Sequence, residues 1–302
     1  MIYGAGALGS FVGGMLSQRH EVTLVGRREH MTAIKQHGLC ISGATELTVH
    51  PMTAEALSDR DVDLVVLTVK AYDTAAAAED IAATCGAPVL SLQNGLENEQ
   101  TLQEMLGEGR VIGGVISHGV RYAGPGHVEH TGTGDTVIGE LDGTISRRVE
   151  TIADALSGCD IATTPSDDIW RMIWRKAVVN AAINPLTALL RCRNGFLLEN
   201  EDTRRLMHTI CREGIMVASA CDVDVNDVVE QAELVARRTA RNHSSMLQSL
   251  EHGRPTEIDH INGAIAAHGK KHGVAAPVNE TLTRLVRALE EKPLLPPEGH
   301  RS

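Results

Sequence analysis

The opening of this chain constrains its fold more than any other stretch. Met1-Ile2-Tyr3 runs directly into Gly4-Ala5-Gly6-Ala7-Leu8-Gly9. A helical pattern then continues to Leu16, and a strand-like segment spans 21–25. A G-x-G-x-x-G turn between a strand and a helix predicts a βαβ unit. Its first two glycines allow a tight turn close to a pyrophosphate, and the third allows close helix–strand packing. The amino end of the helix favours phosphate charge. Gly4, Ala5, Gly6, Ala7, Leu8 and Gly9 therefore form a candidate dinucleotide cradle; a glycine-rich turn without a ligand is the plainer alternative. Only three residues precede Gly4, where an interior parallel strand has about five. Either the first strand is unusually short or the start lies upstream.

The βα alternation continues. Residues 63–69 (DLVVLTV) read as a strand buried on both faces. Lys70 follows at its carboxyl end, and an Ala-rich helix runs to about Cys85. The strand at 88–92 ends in Gln93-Asn94-Gly95. Open α/β sheets bind ligands at the carboxyl ends of their strands, so Lys70 and Asn94 are candidates on the cofactor edge. A strand at 111–117 comes next. The segment 124–139, with five glycines, predicts antiparallel strands at the sheet edge. A helix at 145–156 and a last strand at 161–164 complete the alternation.

Gly26-Arg27-Arg28 closes the second strand. An Asp or Glu in this region bonds the ribose 2′-hydroxyl of NAD. A guanidinium instead matches a 2′-phosphate in bidentate fashion. This predicts NADP(H) as cofactor, with Arg27 the phosphate ligand. The alternative is a pair of surface arginines starting the 28–36 helix.

Residues 170–190 read WRMIWRKAVVNAAINPLTALL. Trp170, Ile173, Trp174, Ala177, Val178 and Ala181 share one helical face, which predicts an amphipathic helix. Lys176, Asn180 and Asn184 step by four, with Thr187 following, and so line a polar stripe. A lysine and two short amides are poor solvating choices, so the stripe is expected to face a cleft. Pro185 should interrupt or kink the helix. The rest reads as helices at 203–220, 225–238, 244–249, 257–270 and 277–291. Thr256 is a candidate cap, and Glu257 would suit a helix amino end simply as a charge. The expected domains are 1–165 and 166–302, the second opened by the capping run Ser166-Asp167-Asp168.

The net charge of -11 argues against a nucleic-acid or anionic-membrane partner. No run of about 18 apolar residues occurs, so no membrane helix is expected. The six cysteines form no CxxC pair, which fits reduced thiols in a cytoplasmic protein. The fourteen histidines read as scattered, without HxxxH or another compact metal pattern, so no metal is expected. The tail, 292–302, carries three prolines and a glycine and is expected to fray.

GAGALG, VGRR, VKAYDT, LQNGLEN, WRKAVVNAAINPLTAL, NHSSMLQ and TEIDHINGA occur in the order and spacing of the ketopantoate reductase family. Over essentially its whole length the chain resembles that family. The resemblance implies a Rossmann-type α/β domain followed by an all-α domain similar to the carboxyl-terminal domain of 6-phosphogluconate dehydrogenase. It implies NADPH-dependent reduction of 2-dehydropantoate to pantoate, on the way to pantothenate and coenzyme A. It assigns Lys176 and Glu257 as catalytic and Asn180, Asn184 and Ser245 as substrate-binding, with Ser244 a neighbouring candidate. Lys70 and Asn94 match the cofactor-side lysine and asparagine.

The chemistry agrees. Hydride addition to a ketone builds negative charge on oxygen, which a lysine ammonium stabilises and protonates. The implied partner is a small 2-oxoacid, and monomer and homodimer both stay open. A paralogue acting on another 2-oxoacid is the alternative enzyme. A non-catalytic NADP(H) sensor is the alternative from another class; it would need the glycines and Arg27 but not Lys176, Asn180, Asn184 and Glu257.

Overall fold

A computed structural model describes residues 1–57 and 61–291; the proline-bearing tail, 292–302, lies outside the described residues. The chain divides into two compact units, Met1–Ile173 and Trp174–Ser302. The boundary expected after residue 165 falls at the end of a strand, whereas the compact units divide inside the helix that follows it.

The first unit runs β1 (Ile2–Tyr3), α1 (Ala7–Leu16), β2 (Thr23–Val25), α2 (Arg28–His37), β3 (Leu39–Gly43), β4 (Leu47–Val49), β5 (Met52–Ala54) and β6 (Val65–Leu67). It continues through α3 (Thr74–Thr84), β7 (Val89–Ser91), α4 (Asn98–Leu106), β8 (Val111–Ile116), β9 (Gly119–Gly124), β10 (His127–Gly132), β11 (Thr136–Glu140), α5 (Arg147–Ser157) and β12 (Thr163–Pro165). The main sheet is ordered β12-β11-β8-β7-β6-β1-β2-β5. It is parallel except where β11 runs against β8. β1 is only two residues long, yet Ile2 and Tyr3 pair on both sides, with β2 and with β6. From β1 the chain builds outward through β2 to β5, then returns to lay β6, β7 and β8 on the other side. The order therefore reverses between β1 and β6, and such a reversal opens a ligand crevice at the strands' carboxyl ends.

Alternation explains why the strands read as unbroken apolar runs. Val66, Leu90 and Ile112 join Ile2, Leu24, Phe11 and Val149 in one core cluster. Val65, Leu67, Val89 and Val111 join Ile81 and Leu102 in the other. Successive side chains point to opposite faces, and helices cover both.

The glycine-rich segment 124–139 corrects its expectation. Only β11 pairs at the main sheet, whereas β9 and β10 join β3 and β4 in a second sheet ordered β4-β3-β10-β9. The alternation marked strands but could not name partners so distant in sequence: Cys40 faces His127 across a parallel pair. This sheet packs on α1 through a histidine cluster. His30 Nε2 is 2.8 Å from Ser10 Oγ, and Gly126 N–H donates to His30 Nδ1 at 2.9 Å. His118 Nδ1 lies 3.0 Å from His130 Nε2, and Phe11 packs against both rings. Burial pulls the His30 pKa down to about 4 and also lowers those of His118 and His130.

Helix α6 (Ile169–Leu190) leads into the second unit, followed by α7 (Phe196–Glu199), α8 (Glu201–Ala220), α9 (Val228–Arg238), α10 (Ser245–Glu251), a π-helical turn (Asp259–Gly263), α11 (Ala264–His272) and α12 (Pro277–Glu291). Two expectations for α6 are corrected. Pro185 does not interrupt it, for the helix continues to Leu190. Nor is it one-faced: from Ala177 to Ala188 every residue but Asn180 is buried. A helix apolar on nearly all sides is a core helix, and α6 is central to this unit. Among the described residues no helix is long and apolar enough to cross a membrane.

Candidate functional site

The glycine-rich turn is shaped by close backbone packing. Gly4 has φ +104°, and a Cβ there would lie 2.5 Å from Val69 N. A Cβ on Gly9 would lie 2.4 Å from Thr68 Oγ1 and 2.5 Å from the Gly4 carbonyl oxygen. These two glycines are required by the protein's own packing. Gly6 differs: its nearest neighbour to an added Cβ would be the Gly4 carbonyl oxygen at 3.9 Å. Gly6 is exposed and is the N-cap of α1, with no side-chain cap bond. The space a side chain would fill there lies over the uncapped first turn, where backbone amides suit a pyrophosphate. The residues present thus fit a dinucleotide. Thr68 locks the turn to β6 by donating to the Gly4 carbonyl at 2.9 Å.

Arg27 is exposed at the carboxyl end of β2, as N-cap of α2, and among the described residues no ion pair holds it. Arg28 instead faces Glu55 at 3.8 Å. Lys70 and Asn94 are both half-buried in loops at the carboxyl ends of β6 and β7. Those loops are bonded together. Gln93 Nε2 donates to the Val69 carbonyl (3.1 Å) and to Thr74 Oγ1 (2.8 Å). Thr74 Oγ1 lies 2.9 Å from Asn98 Oδ1, and Asn98 Nδ2 donates to the Asn94 carbonyl at 2.9 Å. Gln93, Thr74 and Asn98 fix the backbone carrying Lys70 and Asn94; the sequence reading gave them no such role.

In the second unit, α6 carries Lys176 and Asn180 half-buried and Asn184 buried. Thr187 departs from the expected cleft-facing stripe. It is fully buried, with Oγ1 2.8 Å from Ser244 Oγ and 2.9 Å from the Ile183 carbonyl oxygen. Ser244 is buried too and caps α10, accepting from Leu247 N–H at 3.2 Å. The two candidate serines therefore separate: Ser244 is committed to tying α10 to α6, whereas Ser245 is exposed on the first turn of α10.

Glu257 does not sit as a solvated helix-end charge. It is 5% exposed. Its neighbours take the structural roles: Thr256 Oγ1 accepts from Ile258 N–H at 3.2 Å, and Asp259 pairs with Arg287 at 2.6 Å.

One further residue is invisible in the polar stripe. Pro185 has no N–H to give the carbonyl four residues earlier, that of Ala181. Asn262 Nδ2, from the π-helical turn after Glu257, donates to this carbonyl at 3.1 Å and to Asn279 Oδ1 at 3.0 Å. Asn279 Nδ2 in turn donates to Glu213 Oε2 at 2.8 Å, and all three side chains are buried. The turn of α6 between Asn180 and Thr187 is thus bonded both to the segment bearing Ser245 and to the one bearing Glu257. The available signal was the proline itself: inside a buried helix it leaves an acceptor that some donor must meet.

The expectation of no metal passed over a local HxxxH spacing. His268 and His272 stand four apart on α11, and Cys221 lies beside them.

Two family models match, "Ketopantoate reductase PanE/ApbA" over residues 1–143 and "Ketopantoate reductase PanE/ApbA C terminal" over 168–290. The 2-dehydropantoate 2-reductase of Halobacterium salinarum is 40% identical, covering 95% of this chain and 97% of its own. A PanE/ApbA family ketopantoate reductase from Ralstonia eutropha superposes with a TM-score of 0.88 at 34% identity, covering 96% and 98% of the two chains. D-mandelate dehydrogenase in a ternary structure with NADH and anilino(oxo)acetate superposes with a TM-score of 0.90 at 31% identity, with the same coverage. With a G-x-G-x-x-G turn between strand and helix, a lysine and two amides along α6, and matches along nearly its full length, the chain belongs to the ketopantoate reductase family.

Proposed function

We propose that this protein reduces 2-dehydropantoate to (R)-pantoate with NADPH, in the cytoplasm, as a step toward pantothenate and coenzyme A. Residues 1–165 hold the cofactor and 166–302 the substrate. One observation carries the reading: Lys176, Asn180 and Asn184 share α6, the central helix of the second unit, to which the segments bearing Ser245 and Glu257 are tied by Thr187–Ser244 and Asn262–Ala181 bonds.

NADPH, when bound, supplies the hydride for C2 of the 2-oxoacid. Gly4, Ala5, Gly6, Ala7, Leu8 and Gly9 receive its pyrophosphate, Arg27 its 2′-phosphate, and Lys70 and Asn94 the edge toward the nicotinamide. The Lys176 ammonium binds the ketone oxygen, stabilises the alkoxide as it forms and delivers a proton to that oxygen. Asn180, Asn184 and Ser245 orient the substrate through its carboxylate and hydroxyl. Glu257 accepts a hydrogen bond from a substrate hydroxyl.

The likeness to D-mandelate dehydrogenase supports a second reading, an NADH-dependent enzyme for aromatic 2-hydroxy acids. Arg27, exposed at the end of β2, favours the first. Purified protein assayed with NADPH and NADH against ketopantoate, phenylglyoxylate and aliphatic 2-oxoacids decides. The highest kcat/KM for ketopantoate with NADPH is expected. Preference for phenylglyoxylate with NADH would replace the proposal with the second reading.

A further inference from the structure

The second unit gathers one thiol and two imidazoles, side chains given no part in the proposed reaction. Cys221 stands at the carboxyl end of α8, and His268 and His272 lie one helical turn apart on α11. Residues four apart on a helix share a face, so both imidazoles reach toward the same side. Cys221 Sγ and one ring nitrogen of each histidine all lie within 4.8 Å of one another, and Sγ is 3.9 Å from His268 Nδ1. A tetrahedral zinc ion, with Zn–S about 2.3 Å and Zn–N about 2.0–2.1 Å, sets its sulfur and nitrogen ligands about 3.6 Å apart. The cysteine–histidine pair is thus a few tenths of an ångström from that spacing, and rotation of the exposed His272 side chain can close the rest.

We propose that Cys221, His268 and His272 bind one zinc-class divalent transition-metal ion, leaving a fourth position open to water. A thiolate with two imidazoles suits zinc, cobalt or copper and disfavours magnesium and calcium, which require oxygen ligands. The site is not preformed in full. Burial raises the Cys221 thiol pKa, the nearby Lys271 charge opposes that, and Asp222 adds to it; binding the ion displaces the thiol proton to solvent. The supports are rigid. The ligands come from two helices packed together, and the His268 and Trp174 rings meet in a T-shaped pair with centroids 5.2 Å apart. An ion there would clamp the end of α8 to α11.

The competing account is a plain thiol–imidazole contact. Titration of the untagged, reduced, metal-free full chain with Co²⁺ separates the two. The proposal expects one equivalent bound, with intense near-ultraviolet thiolate-to-cobalt absorption that Zn²⁺ displaces, and a Tm that rises with added Zn²⁺. Cys221→Ser should abolish the thiolate band. His272→Ala, at an exposed position, should leave the metal-free Tm unchanged and weaken Co²⁺ binding at least tenfold, which keeps the test valid if the cysteine variant folds poorly. Absence of the band at stoichiometric Co²⁺, its survival in Cys221→Ser, or unchanged affinity in His272→Ala would each overturn the proposal.

Discussion

Removing the Asn262 amide should destabilise the second unit by an amount that depends on whether residue 185 is proline. In the native chain Asn262 Nδ2 serves two buried acceptors, the Ala181 carbonyl at 3.1 Å and Asn279 Oδ1 at 3.0 Å. Asn262 and Asn279 are both 0% exposed, so water cannot take over. Each buried acceptor left unpaired costs about 1–3 kcal/mol, so the loss of both in Asn262→Ala should cost about 2–6 kcal/mol. The Ala181 share exists only because Pro185 cannot donate. Pro185→Ala restores an N–H that can close the helical bond to that carbonyl. In that background Asn262→Ala should cost about 1–3 kcal/mol less, a coupling that a double-mutant cycle measures directly. Denaturant unfolding of the full chain, followed by fluorescence of Trp170 and Trp174 with matched m-values, provides the four stabilities. Additive costs, with a coupling below about 0.5 kcal/mol, would refute the idea that Asn262 substitutes for the donor missing at Pro185.

Lys176→Ala should lower kcat for ketopantoate reduction by roughly 10²–10⁴-fold with NADPH affinity nearly unchanged; a near-normal rate in single-turnover NADPH oxidation would remove the general-acid assignment. Arg27→Asp should weaken NADPH binding by roughly 10–100-fold, the worth of a charge-assisted hydrogen bond, and leave NADH binding nearly unaltered. Equal losses for both would make Arg27 a structural residue. Glu257→Gln keeps the buried volume and should depress kcat/KM for ketopantoate while Tm stays within about 2–4 °C, a shift of about 1 kcal/mol in a chain of this size; a larger thermal loss with normal kinetics would assign Glu257 to the fold. For His30, the folded pKa of about 4 lies below the ordinary histidine value of about 6.5. Both states are neutral above that value, so stability is full there. As pH falls from about 6.5 toward 4, the unfolded chain takes up a proton that the folded chain refuses, and stability declines. Burial is the cause of the shift, and His30 Nδ1 also accepts from Gly126 N–H, a bond protonation would break. Denaturation midpoints across this range should show the decline, with a shallower slope in His30→Gln; an identical slope would acquit His30.

Much of the fold was legible because local patterns and tertiary needs coincided. The turn Gly4 to Gly9 between strand and helix, the doubly apolar strands and the position of Arg27 all follow from short-range rules, and the structure has the corresponding βαβ order. Lys176, Asn180 and Asn184 stood out by spacing alone. What the sequence could not determine involved partners distant along the chain. The glycine-rich strands read correctly as strands, yet β10 chose β3 because a parallel partner is set by packing over α1, not by its own alternation. Glu257 suited a helix amino end simply as a charge; only tertiary structure buries it while Asp259, two residues on, pairs with Arg287. Ser244 stayed open as a neighbouring candidate to Ser245 until Thr187 committed Ser244 to a buried bond. Pro185 predicted a broken helix by local rules, but a donor supplied by Asn262 lets the helix continue. Local sequence determines what a backbone segment prefers; where an unpaired buried group finds its partner is decided only when the tertiary structure brings distant residues together.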